Sequence, residues 1–95
     1  MLNGMSKEQK DRWYDTQIDC AAIRMPNGKV WTGHRHGHVI ATIKQATGLS
    51  SGEGVQGFVT KSKRFVGRLE AADLVKRTGQ MPGFDKSELY SEDLY

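Results

Sequence analysis

The chain passes twice through the same order of signals: two short apolar runs joined by a tight turn, then an apolar stripe at helical spacing closed by a glycine. In the first pass Ile18, Cys20, Ala22 and Ile23 form a run that ends at Arg24-Met25, and Pro26-Asn27-Gly28-Lys29 follows. Proline presets φ and Asn-Gly accepts positive φ, so this is a turn, and Val30-Trp31-Thr32 beyond it completes a β-hairpin. After an irregular stretch over 33–37, Val39, Ile40 and Ile43 fall on one face that Thr47 continues. This predicts a helix over 38–47, stopped by Gly48. The second pass has Gly57-Phe58-Val59-Thr60, a Lys61-Ser62-Lys63 turn and Arg64-Phe65-Val66. A helix over 68–78 follows, with Leu69, Ala72 and Val75 as its stripe, Ala71 and Leu74 beside them, and Gly79 at its end. The expected fold is α+β: a small antiparallel sheet from two ββα units, with the helices on one face. A shift of about 34 positions lays Trp31-Thr32-Gly33 on Phe65-Val66-Gly67, which predicts that if one of Trp31 and Phe65 is buried, its counterpart is too.

The flanks read differently. Residues 1–16 form an N-terminal arm in which Ser6-x-x-Gln9 is a capping box opening a short helix over 7–14. So short a helix is unstable alone, so Trp13 and Tyr14 must dock on something. Residues 17–86 form the ββαββα core, interrupted by a Ser/Gly-rich stretch over 49–55 that reads as a mobile loop and by a loop at Met81-Pro82-Gly83-Phe84. Residues 87–95 are an acidic, aromatic tail: an edge strand or arm embracing a neighbouring subunit, or a disordered segment. Its leucines and tyrosines favour order.

Ninety-five residues allow one domain, and a chain this short buries only about 60–65% of its unfolded surface. With 37% hydrophobic residues the core is lean, so a homo-oligomer built on a dimer is the expected remedy. The single cysteine, Cys20, excludes an intramolecular disulfide and a Cys-rich zinc site. No apolar run approaches a membrane span, and residues 1–10 lack a signal core, which points to a reducing cytoplasm. A net charge of +3 is mild. It favours anionic partners without the dense basic stripe of a nucleic-acid binder.

His34-Arg35-His36-Gly37-His38 is the most unusual stretch. It precedes a helix, where unpartnered N–H groups and the helix dipole already make the surroundings positive, so cations placed there cost stability unless an anion binds. Backbone N–H groups, an Arg fork and imidazoles together would make a phosphate site. The plainer reading is a solvated basic loop. A third is a metal site, since His34, His36 and His38 alternate, although no carboxylate or cysteine is near and Arg35 would oppose a cation. Arg68 holds the corresponding entrance of the second helix, where Glu70 could pair with it or simply favour the helix dipole; Arg64 and Lys61 flank the second hairpin. Trp31, Phe58 and Phe65 are core residues unless one faces outward to stack on a base, with Gly33 and Gly57 allowing close approach. The chain has no Gly-x-Ser-x-Gly, no phosphate-binding Gly-x-x-x-x-Gly-Lys-Ser/Thr and no His-Glu-x-x-His. His36 is the one candidate base, which favours a binder over an enzyme, with no cofactor and no metal called for.

Several ordered pieces also carry a resemblance: Ala21-Ala22-Ile23-Arg24, Trp31-Thr32-Gly33-His34-Arg35-His36 with Val39-Ile40, Gln56-Gly57-Phe58-Val59-Thr60, and Arg64-Phe65-Val66-x-Arg68-x-Glu70-Ala71-Ala72. Gly79-Gln80 and Leu89-Tyr90-Ser91-Glu92-Asp93-Leu94-Tyr95 complete the set. Together they resemble a family of small phage proteins, and within it the anti-Thoeris sponges that sequester cyclic ADP-ribose isomers. The resemblance implies an oligomer built on a dimer, acting in the host cytoplasm, that encloses a nucleotide second messenger without cleaving it. Cyclic oligonucleotides of the CBASS type are a second ligand class it implies. Arg35 and Arg68 stand where the resemblance places paired arginines. His36 and Arg24 would add to the phosphate grip, and Trp31, Phe58 or Phe65 would stack on the base. The alternatives are a nucleic-acid-binding phage regulator and a protein-interaction inhibitor of a host defence enzyme.

Overall fold

Local signals place most of the elements. The computed structural model describes residue 4, residues 6–48, residue 50 and residues 54–94, so most of the expected 49–55 loop lies outside the described residues. Ser6 caps α1 (Lys7–Thr16) through the full capping box: its hydroxyl accepts from Gln9 N–H at 3.1 Å, and Gln9 Oε1 accepts from Ser6 N–H at 2.8 Å. β1 (Ile18–Arg24) and β2 (Val30–Gly33) enclose the Pro26–Lys29 turn, with Gly28 at φ 88° and Asn27 Oδ1 accepting from Lys29 N–H. α2 (His36–Thr47) and α3 (Arg68–Thr78) both end on left-handed glycines, Gly48 and Gly79. β3 (Val55–Thr60), β4 (Phe65–Gly67) and a terminal turn of helix, α4 (Ser91–Leu94), complete the chain.

The four strands form one antiparallel sheet in the order β2-β1-β3-β4, so each hairpin contributes one central and one edge strand. Because side chains alternate across a strand, the register sorts them. Ile18, Ala21, Ile23, Phe58 and Val66 pack with Val39 and Ile43 of α2 and with Ala71, Ala72, Leu74 and Val75 of α3, so both long helices cover one face. Ala22, Gly57, Val59 and Phe65 face the other way. Gly57 must be glycine: a Cβ there would press into the Val66 carbonyl oxygen and lie 2.8 Å from Phe65 Cζ.

Trp31 and Phe65 are both half-buried, as their matching positions predict, but on opposite faces of the sheet. Trp31 lies opposite Ile23 and packs on the helix-side core, whereas Phe65 lies opposite Val59 and against Gly57 on the far side. His34 and Arg35 separate β2 from α2, while β4 runs directly into α3, so the positions that correspond at the helix starts are His36 and Arg68.

Two expectations change. The C-terminal segment is neither an edge strand nor a disordered tail, for it folds back on its own core. Leu89 is fully buried and its N–H donates to the Arg68 carbonyl at 3.1 Å. Glu70 does not pair with Arg68; it takes Arg64 Nη1 at 2.8 Å. Arg64 also holds Asp15 through Nε at 2.9 Å, and Ser62 donates to Asp15 at 2.8 Å, tying the end of α1 to the second hairpin. Those bonds from Ser62 and Arg64 hold the Asp15 carboxyl below its usual range. α1 itself buries no residue, and its half-buried Trp13 meets Tyr14 edge-on and carries Lys61 over its ring. A last feature replaces backbone with side chain. Where β1 breaks register between Ile18 and Cys20, the Gln80 carboxamide accepts from Ile18 N–H and donates to Ile18 C=O, each at 2.9 Å.

Candidate functional site

The helix starts carry the chemistry, beginning with α2. Arg35, half-buried and extended at φ −133°, is its N-cap residue and provides no side-chain cap. The helix therefore opens at His36, two residues before the apolar spacing suggests, and its first N–H needs an acceptor from elsewhere. Ser91 supplies it: its buried hydroxyl accepts from His36 N–H at 3.3 Å. The His36 ring turns inward, 6% exposed, edge-on to Phe58 at 5.2 Å, with Nε2 2.7 Å from the Gly57 carbonyl. A carbonyl can only accept, so Nε2 carries the proton. Burial pushes the imidazole pKa down; the Gly57 carbonyl opposes this, the Arg68 charge lowers it further and Glu92 raises it. His36 is thus a buried, strand-bonded anchor and not a surface cation for phosphate. His34 and His38 stay exposed, their rings 6.5 Å apart, so helix geometry separates the three imidazoles that an extended segment would have alternated. Among the described residues no group of three or more His, Cys, Asp or Glu could hold a metal ion.

Arg68 holds the same first position in α3 and is used differently. Its guanidinium lies over the Tyr90 ring, 4.5 Å from the centroid, and its Nη2 donates to Gln56 Oε1. Its Nε is buried with no acceptor among the described residues. An unpartnered buried donor on a cation is expensive, and natural proteins keep few of them. Around it stand Gln56 at the start of β3, the Tyr90-Ser91 step of the C-terminal segment, and His36, whose titration the Arg68 charge reaches. The two helix starts therefore come together over the middle of the sheet, where β2 and β4 end in adjacent rows from opposite directions, with the C-terminal segment laid across both.

The remaining candidates divide. Phe58 is fully buried, wedged between His36 and the core, and offers no face to a base. Phe65, half-buried on the far side, has Arg24 over its ring at 4.8 Å. Trp31, half-buried against the core, carries Lys29 Nζ at 4.2 Å. The structure thus brings Arg24 to Phe65 and His36 to Arg68, on opposite faces of the sheet. Burial raises the pKa of the Cys20 thiol, which makes it a poor nucleophile. Sequence reasoning missed Gln56, Tyr90 and Ser91 as parts of the site. One local signal was available: Asp93 Oδ2 accepts from Tyr90 N–H at 3.1 Å, half of a capping box written as Tyr90-Ser91-Glu92-Asp93.

Residues 17–95 match the model of a phage protein family, so this is a small phage protein. The family is that of the phage T4 y16D protein, and the chain belongs to it. The match starts after α1 and includes both helix starts and the C-terminal segment. Neither curated proteins nor solved structures provide a match. No helix among the described residues is long and apolar enough to cross a membrane.

Proposed function

We propose that this phage protein captures a cyclic nucleotide second messenger, a cyclic ADP-ribose isomer or a cyclic oligonucleotide, and holds it without cleaving it. It would thereby silence a Thoeris- or CBASS-type defence in the host cytoplasm. The observation that carries the reading is Arg68: a guanidinium fixed on Tyr90 and Gln56, with a buried Nε–H that no group among the described residues accepts. A phosphate oxygen is the acceptor such a donor suits best, and a guanidinium is the best side chain for it. Arg35, at the other helix start, is assigned the second phosphate contact. The base is assigned to Trp31, which lies on the same face of the sheet as Arg68, displacing Lys29 from its ring. Burial and the bond to the Gly57 carbonyl occupy the His36 ring within the protein, in keeping with capture without turnover. One thin two-layer unit cannot surround a ligand, so the reading includes a homo-oligomer built on a dimer with subunits sharing the pocket.

Native mass spectrometry of the protein with cyclic ADP-ribose isomers and cyclic dinucleotides tests this. The expected result is a stoichiometric complex on an even-numbered oligomer, releasing ligand of unchanged mass after denaturation. Retention of no nucleotide, or affinity only for nucleic acid with a steep salt dependence, overturns it and favours the phage-regulator alternative. A stable complex with a host protein that survives Arg68→Ala would favour the protein-interaction alternative.

A further inference from the structure

The C-terminal segment puts three consecutive residues to three uses at the starts of α2 and α3. Leu89 is fully buried and its N–H bonds the Arg68 carbonyl. Ser91 is buried and bonds the first N–H of α2. Tyr90 lies between these two anchors, so its ring has little freedom, and its own N–H is held by Asp93 at 3.1 Å. That ring lies beneath the Arg68 guanidinium. The bond from Leu89 ties the backbone of Arg68 to the same dipeptide that supports its side chain. An arginine otherwise samples many rotamers, and freezing them on binding weakens capture.

We propose that Tyr90 is the positioning residue for Arg68: a platform that holds the guanidinium in its phosphate-binding orientation, making the C-terminal segment a wall of the site. The proposal rests on the reading of Arg68 as a phosphate donor. Gln56 supplies the second restraint, fixing the plane of the guanidinium through Nη2 while Nε is left to the ligand. A cation held over an aromatic face needs the ring and not its hydroxyl, so phenylalanine should serve and an aliphatic side chain should not.

The test is proton–nitrogen NMR of the Arg68 Nε–H group, assigned by its disappearance in Arg68→Lys, with pyrophosphate as the probe. In the unaltered protein the Arg68 side-chain protons should be shifted upfield by the Tyr90 ring, and the Nε–H should exchange slowly. Tyr90→Phe should keep both features and the pyrophosphate affinity. Tyr90→Leu should return the resonance to the position of exposed arginines and weaken pyrophosphate about fivefold, while the Leu89 amide stays protected. Arg68 protons without a ring-current shift in the unaltered protein would overturn the proposal, whatever the variants do. So would a Tyr90→Leu protein with the resonance and the affinity unchanged. If the resonances respond to the variants as stated but neither pyrophosphate nor cyclic ADP-ribose moves them, nucleotide capture fails and the positioning of Arg68 by Tyr90 stands.

Discussion

His36 and Arg68 occupy the same place, the first residue of the helix that closes each ββα unit, and meet opposite fates. At α2 the side chain goes inward, bonded to Gly57 and packed on Phe58, and a distant hydroxyl completes the helix end. At α3 it stays charged, lies flat on Tyr90 and keeps an unused donor. A twice-used architecture thus spends one copy of a position on cohesion and leaves the other for chemistry. The lesson is that a basic residue beside a positive helix start is not in itself a binding site. What separates the two is whether the protein already provides every acceptor.

That contrast can be broken by measurement. The largest effect is expected on the cohesive side: Phe58→Ala, which removes the ring His36 packs on, should cost about 3–5 kcal/mol in denaturant unfolding. Arg68→Ala should leave the unfolding midpoint in place and weaken capture of the nucleotide about ten- to a hundredfold by calorimetry. His36→Ala should do the reverse, costing about 2 kcal/mol of stability by orphaning the Gly57 carbonyl and opening a gap, with affinity held among the folded molecules. Lost capture at full stability in that variant would erase the division. The pH dependence sharpens it further. Burial lowers the His36 pKa below the usual imidazole value of 6.5, so at mildly acidic pH the unfolded chain binds more protons than the native one. The stabilisation is complete above about pH 6.5 and is lost as pH falls through the native pKa. The denaturant midpoint should fall between about pH 7.5 and 5.5, and His36→Gln should flatten that slope. The smallest effect is Ser91→Ala, about 1 kcal/mol, for loss of the α2 cap.

Signals confined to a few neighbouring residues were legible before any coordinates. The Ser6/Gln9 box, the Pro26–Lys29 turn and the left-handed Gly48 and Gly79 each act within four or five residues, and each stands where the pattern put it. The α+β class followed from their order. The site was less legible, because its parts converge from far along the chain. Nothing near Arg35 announces that Ser91, 55 residues on from His36, caps the helix. Nor does Arg68 indicate that Tyr90 will lie beneath it, or that Glu70 will prefer Arg64. The opposite faces of Trp31 and Phe65 follow from which partner each strand pairs with, Ile23 for Trp31 and Val59 for Phe65, which a comparison of short motifs does not see.

Gln80 imposes a requirement stricter than its surface position suggests. By giving and taking one proton-mediated link each with Ile18, its terminal amide impersonates the stretch of β2 that would have continued past Gly33. Only a side chain of that reach with both a giving and a taking end can play the part. Glutamate loses the giving end and sets an anion against the oxygen of Ile18, while asparagine falls one methylene short, so a position that looks like an ordinary loop residue admits almost no substitute.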